Sequence, residues 1–90
     1  MKNPAAVVVF DSTREACKAT AHPEDHTVIP VTDAADRMVR PASWADFHRV
    51  LEIEQLDSDH VRVLWNCDGP FYPPEPSTVF HRDEWVVCRP

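Results

Sequence analysis

The sequence has very little glycine: Gly69 is the single glycine among 90 residues. Loops that cradle phosphates need several glycines, because the backbone must come close to the ligand. The chain also contains no Gly-x-Ser-x-Gly segment, which places the nucleophile in many serine hydrolases. We therefore predict that the protein is not an enzyme and has no catalytic residues.

Basic residues are also scarce, with nine Lys and Arg against fifteen Asp and Glu and a formal charge of −6. The basic residues are scattered and form no run. Because binding to nucleic acid depends on cations that neutralise phosphates, we predict no direct contact with nucleic acid. A partner protein with a basic surface fits this charge better.

Long hydrophobic segments are absent, since the longest apolar run covers only Ala5 to Phe10. A membrane-spanning helix needs about 20 such residues, and the run is also too short for a secretory signal. The three cysteines, at positions 17, 67 and 88, are an odd number without short spacing, which favours reduced thiols. We expect a cytoplasmic protein with no membrane contact.

The first half of the chain reads as strand, helix and strand. The β-branched run 5–10 predicts a buried strand, and the capping box at 12–15 predicts a helix over about 12–20. Residues 26–31 form a second strand candidate, whose Pro30 places it at an edge or a strand end. In 33–47 we predict a helical turn that ends before Pro41, followed by a turn at 43–47.

The clearest local pattern is a β-hairpin. The two segments 48–56 and 60–67 alternate between apolar and polar residues and are joined by Asp-Ser-Asp at 57–59, which predicts an antiparallel pair. In this alternation Leu51 and Ile53 lie on the buried face. Two short segments, 77–81 and 84–89, close the chain.

These elements predict a single α+β domain over 1–90, mainly an antiparallel sheet or partly open barrel with one short N-terminal helix. From residue 37 to residue 90, the hairpin RVLEIEQLDSDHVRVLW and the closing segment EWVVCRP resemble the SH3-like small barrels of the Tudor and KOW type. The resemblance implies a strand beginning near Arg37 and a binding module with an aromatic-lined groove. It carries over no catalytic residue.

Aromatic residues supply the first candidate binding surface. Four prolines in the seven residues 70–76 frame Phe71 and Tyr72, and proline-rich segments are preordered for docking. Trp44 is a third candidate anchor, since aromatic side chains dominate interface energetics. The alternative interpretation is that the two rings of the proline-rich loop cap a small core.

Acidic residues supply the second candidate surface, formed by Glu52, Glu54, Asp57 and Asp59. The two glutamates lie on one strand face, and the aspartates continue the charge around the hairpin turn. Such a line could imitate a nucleic-acid backbone and occupy a basic groove. The alternative is a solvated face, partly neutralised by Arg49 and Arg62.

These features predict a small acidic, non-enzymatic protein that regulates or inhibits another protein by binding it, as a monomer or weak homodimer without cofactor or metal. Its size and charge resemble those of the inhibitors that phages and mobile elements deploy against host nucleic-acid enzymes. The alternative is a zinc-binding or thiol-based module, since cysteine and histidine are suitable ligands. Its candidate residues are Cys17, His22, His26, Cys67, His81 and Cys88.

Overall fold

The computed structural model describes residues 12–68 and 72–90. These residues form the helix α1 and six strands that pair antiparallel in one open sheet, in the order β1-β6-β2-β3-β4-β5. The predicted α+β class is therefore confirmed, and the sheet is compatible with an SH3-like small β fold. The predicted strand at 5–10 lies outside the described residues. The elements are α1 Arg14–Thr20, β1 Thr27–Pro30, β2 Met38–Arg40, β3 His48–Gln55, β4 His60–Trp65, β5 Ser77–His81 and β6 Trp85–Arg89.

The helix begins one residue later than the capping box predicts. Thr13 is the N-cap, and its hydroxyl accepts a hydrogen bond from the amide of Ala16 at 3.0 Å. Ser12 is instead buried: its hydroxyl donates to the carbonyl of Trp85 at 2.5 Å and accepts from the amide of Ala42 at 3.3 Å. The predicted cap was therefore wrong because Ser12 has long-range partners that the local pattern does not reveal.

Glu84 forms a second buried polar contact near Ser12. Its carboxylate accepts from the backbone amides of Ser12 at 2.7 Å and His81 at 2.8 Å. The backbone carbonyl of Glu84 accepts from the amide of Val31 at 2.9 Å. One residue therefore joins the turn before β6, the start of α1 and the end of β1.

The segment 33–47 differs from the local prediction. A 3₁₀ turn occupies Val31–Asp33, and Met38–Arg40 form β2 where a helical turn was expected. β2 lies between β6 and β3 and pairs with both, so tertiary pairing outweighs the weak helical preference of the sequence. This strand is the one implied by the SH3-like resemblance. Among the described strands, β1 lies at one edge of the sheet, next to β6, and Pro30 is its last residue. The prediction that Pro30 lies at an edge or a strand end is confirmed for this part of the chain.

The hairpin of β3 and β4 forms as predicted, but its register contains a β-bulge. Val50 pairs with Trp65 and Glu52 with Leu64, so Leu51 is the additional residue. An extra residue reverses which side chains face the core. Leu51 is consequently 55% exposed, and the prediction that it is buried was wrong. Val50 takes its place in the core, whereas Ile53 remains partly buried against the core as predicted.

The core is built mainly from small β-branched side chains of the sheet, packed around Phe80 and Trp65. The helix contributes only Cys17 as a buried residue. Apolar burial stabilises by about 25 cal/mol per Å², so a helix with one small buried side chain depends strongly on other contacts. The central cluster is Val31, Ala34, Val39, Val50, Val61, Val63, Trp65, Phe80, Val86 and Cys88.

The buried guanidinium of Arg40 provides those other contacts. It donates to the backbone carbonyl of Thr20 at 2.7 Å and to the Thr20 hydroxyl at 3.2 Å, both at the end of α1. It also donates to the carbonyls of Ala42 at 3.4 Å and Trp44 at 3.1 Å. Its guanidinium carbon lies 5.2 Å from the centre of the Phe47 ring. Arg40 therefore joins the helix, β2 and loop 41–47.

We predict that Arg40→Lys lowers the free energy of unfolding by about 2 kcal/mol, because an ammonium cannot reproduce the planar fork and leaves buried carbonyls without donors. Urea unfolding monitored by tryptophan fluorescence measures the change. The matched control is Arg62→Lys, since Arg62 forms an exposed ion pair with Glu54 that contributes at most about 1 kcal/mol. Equal losses in the two variants would contradict the role assigned to Arg40.

Candidate functional site

A concave pocket of about 350 Å³ lies between loop 41–47 and the proline-rich loop. It brings together Trp44 and Tyr72, two of the aromatic residues that the sequence singles out. A volume of this size is at the lower end of the range for ligand sites. The lining residues are Ser43, Trp44, Ala45, Asp46, His48, Tyr72 and Pro74.

Trp44, which lines this aromatic pocket, packs against two other rings. The Trp44 ring centre lies 5.0 Å from that of Trp65 and 5.8 Å from that of His48. Trp65 is buried, and its indole Nε1 donates to the hydroxyl of Thr78 at 2.9 Å. Such fixed rings lose little conformational freedom when a ligand binds. Trp44 is therefore presented on a rigid base.

Tyr72 lines the pocket from the proline-rich loop. Its side chain is 69% exposed, so the interpretation that both rings of the proline-rich loop cap the core does not hold for Tyr72. Pro73, the next residue, is buried, and the carbonyl of Pro76 accepts from the amide of Trp65 at 3.0 Å. These contacts attach the loop to the sheet beside Tyr72. Phe71 lies outside the described residues.

Asp46 and His48 give the aromatic pocket its polar character. The faces of Trp and Tyr rings attract cations, and the exposed, negatively charged carboxylate of Asp46 also favours a positively charged ligand. The arrangement can accept a lysine or arginine side chain, or an apolar side chain such as proline. The predicted site does not include Ser43, Asp46, His48 or Pro74, although the sequence predicts a turn at 43–47.

The acidic turn lies away from the aromatic pocket, and Glu52 and Glu54 lie between the two along β3. Trp44 contacts His48 at the beginning of β3, whereas the acidic turn 57–59 follows the end of that strand. At about 3.3 Å per residue the two ends of β3 are roughly 23 Å apart. The structure therefore separates the two predicted surfaces.

Local partners also occupy part of the acidic surface. Glu54 forms an ion pair with Arg62 at 2.7 Å. The carboxylate of Asp57 accepts from the amide of Asp59 at 2.8 Å and contacts His60 Nδ1 at 3.0 Å. The hydrogen bond from the Asp59 amide, followed by the contact with His60, lowers the pKa of Asp57 below its usual 3.8. Asp57 therefore has a structural role in the hairpin turn.

This lowered pKa predicts an acid-dependent contribution of Asp57 to stability. Because the shift is downward, the contribution is present above the ordinary pKa of 3.8 and is lost as pH falls through the lower value in the folded protein. The wild-type protein should therefore be more stable than the Asp57→Ala variant at about pH 6. The difference in the free energy of unfolding between the two proteins should be smaller at about pH 2. Urea unfolding of both proteins at the two pH values measures this; a constant difference would contradict the prediction.

The structure does not gather the cysteine and histidine residues of the alternative hypothesis. All six lie within the described residues, and no three His, Cys, Asp or Glu side chains of that part of the chain are grouped to hold a metal ion. Cys17 and Cys88 are buried, whereas Cys67 is partly exposed. Burial raises the pKa of the Cys17 thiol, and the nearby carboxylate of Glu84 acts in the same direction against the opposing effects of Ser12 and Arg40.

We predict that iodoacetamide modifies Cys67 at least tenfold faster than Cys17 or Cys88 in the native protein, because the thiolate is the reactive form and access is needed. Mass spectrometry of peptides at successive times gives the three rates. Protein unfolded in urea is the control, and there the rates should converge. Fast modification of Cys17 in the folded state would contradict the burial described above and would support the alternative hypothesis of a thiol-based module.

Comparisons with known proteins identify no family for this chain. A scan against protein-family models, a search of curated proteins and a search of solved structures each find no match. Among the described residues, no helix has the length and apolar character that a membrane crossing requires. The functional argument therefore rests on the residues and geometry of the chain itself.

Proposed function

We propose that this protein is a small, non-enzymatic binding module that regulates or inhibits another protein through the aromatic pocket. The supporting observation is the convergence of Trp44 and Tyr72, from two separate loops, on one pocket of about 350 Å³ that also contains Asp46. The occupant is a basic or proline-containing segment of the partner. In the SH3-like interpretation, this pocket is the aromatic-lined groove that the resemblance implies.

The chemistry of the pocket supports a cationic anchor. A lysine or arginine side chain placed between Trp44 and Tyr72 gains cation–π attraction of roughly 1 kcal/mol or more when water is excluded. Asp46 adds an opposite charge at the rim, and the formal charge of −6 favours encounter with a basic partner. A few such anchors carry most of the energy of a protein interface.

The acidic residues belong to a separate part of the proposal. Glu52 and Glu54 are exposed on the outer face of β3, and Asp57 and Asp59 lie in the turn beyond it. Salt screens electrostatic attraction beyond about 10 Å, so the acidic turn adds little to the affinity of a ligand in the aromatic pocket. We propose that this surface instead raises the rate at which the partner associates. The acidic charge favours a partner that binds nucleic acid through a basic surface. The protein would then be a cytoplasmic inhibitor of a nucleic-acid enzyme, like the inhibitors of phages and mobile elements.

We predict that Tyr72→Ser weakens capture of the partner at least tenfold, because it removes an exposed aromatic anchor without opening the core. Immobilised protein is incubated with bacterial lysate, and bound proteins are quantified by mass spectrometry. Leu51→Ser is the matched control, since Leu51 is an exposed apolar side chain, 55% accessible, outside the pocket.

Two further variants separate the components of this proposal. Asp46→Asn should weaken capture by about three- to tenfold if the occupant is cationic. Changing Glu52, Glu54, Asp57 and Asp59 together to Ser should slow association and reduce its dependence on salt. Undiminished capture by Tyr72→Ser would refute the aromatic-pocket proposal, and undiminished association by the fourfold variant would refute the role of the acidic surface.

A further inference from the structure

A second pocket, of about 290 Å³, opens where β2 begins and β6 ends. Three of the chain's nine basic residues line it, although the protein as a whole is acidic. We call it the arginine pocket. Its lining residues are Thr27, Asp36, Arg37, Met38, Arg49, Cys88, Arg89 and Pro90.

The sheet register explains why Arg49 and Arg89 lie together. Met38 of β2 pairs with Arg49 of β3 on one side and with Arg89 of β6 on the other. Side chains of directly paired residues in antiparallel strands share a face of the sheet. Arg49 and Arg89 therefore flank Met38 on one face of the sheet. Arg37 directly precedes β2 and lines the pocket beside Cys88.

Two of the guanidinium groups are positioned by other residues that line the pocket. Arg49 donates to the backbone carbonyl of Asp36 at 3.0 Å, and Arg37 donates to the thiol sulfur of Cys88 at 3.9 Å. The guanidinium carbon of Arg89 lies 5.5 Å from the centre of the Phe47 ring. Each contact uses part of a group that has five N–H donors, so Arg37 and Arg49 retain donors for a ligand.

The arginine pocket also keeps its positive charge. Within residues 12–68 and 72–90, none of Arg37, Arg49 and Arg89 forms an ion pair with a carboxylate. Arg62 differs, because Glu54 neutralises it at 2.7 Å. Asp36 is the one acidic side chain among the lining residues, so positive charge prevails locally.

We infer that the arginine pocket binds a phosphate group carried by a small molecule as a phosphate monoester. Guanidinium groups match the geometry of phosphate oxygens and bind them with paired hydrogen bonds. A monoester carries nearly two negative charges at neutral pH, and these interact with the local arginines within about 10 Å. A polyanion such as nucleic acid would in addition meet the repulsion of the whole acidic protein.

Substitution of Asp36 should strengthen phosphate binding, whereas substitution of an arginine in the pocket should weaken it. The φ of Asp36, 64°, is in the left-handed region, which asparagine also tolerates. Asp36→Asn therefore preserves the turn and removes the one acidic side chain that lines the arginine pocket. It should strengthen phosphate binding about threefold, whereas loss of an arginine should weaken it.

The proposal is tested by titrating ¹⁵N-labelled protein with phenyl phosphate and, separately, with inorganic phosphate, at constant ionic strength. Backbone amides of residues 36–38, 49 and 88–89 should shift, and both probes should compete for the site. Arg49→Gln and Arg37→Gln should each weaken binding about tenfold, as expected for loss of a charge-assisted hydrogen bond. Tighter binding of phenyl phosphate than of inorganic phosphate would indicate a monoester as the natural ligand.

The matched control is Arg62→Gln, which removes the same charge from the chain outside the arginine pocket and should bind as wild type does. The amide spectrum of each variant verifies its fold, and two arginine variants are used so that the failure of one to fold leaves the test intact. Equal weakening by Arg62→Gln, shifts no larger than those from chloride, or tighter binding of a DNA oligonucleotide than of phenyl phosphate would overturn the inference.

Discussion

One buried cation, Arg40, joins the helix, the centre of the sheet and loop 41–47. Its strand, β2, pairs with β6 on one side and β3 on the other, and its guanidinium holds the end of α1 and loop 41–47 through carbonyl and hydroxyl oxygens. Burying a charge is costly unless polar groups replace water. The helix end and the loop supply those groups, so neither can move without leaving the charge unsolvated. The base of the aromatic pocket follows from this constraint.

Polar contacts attach both ends of the helix to the rest of the fold. α1 buries only Cys17, which cannot by itself fix the orientation of a seven-residue helix. Ser12 and Glu84 secure its beginning through buried hydrogen bonds, and Arg40 secures its end. Such contacts require particular donors and acceptors at particular distances, so they specify one docking geometry more strictly than a smooth apolar face does. The small valine-rich core therefore stabilises mainly the sheet, whereas the polar contacts fix the position of the helix.

The sequence predicts what depends on neighbouring residues and misses what depends on distant ones. Alternation and turn residues located β3, β4, β5 and β6 to within about two residues. The bulge at Leu51 escaped prediction because a strand's partner, and not its own pattern, determines where an extra residue is accommodated. Ser12 was wrongly assigned to the helix cap because its hydrogen-bond partners, Trp85 and Ala42, are distant in sequence. In the site, Trp44 and Tyr72 were identified from residue type, but their convergence depends on two loops that only the folded chain brings together.

Charge in this protein is distributed along β3, and net charge alone conceals that distribution. His48 and Arg49 are adjacent at one end of the strand, and successive side chains point to opposite faces: His48 lines the aromatic pocket and Arg49 the arginine pocket. Acidic residues occupy the middle and far end. Since screening confines electrostatic attraction to about 10 Å, a ligand at either end experiences mainly its local charges. An acidic composition therefore argues against extended polyanions, but it does not argue against a single anionic group bound beside Arg49.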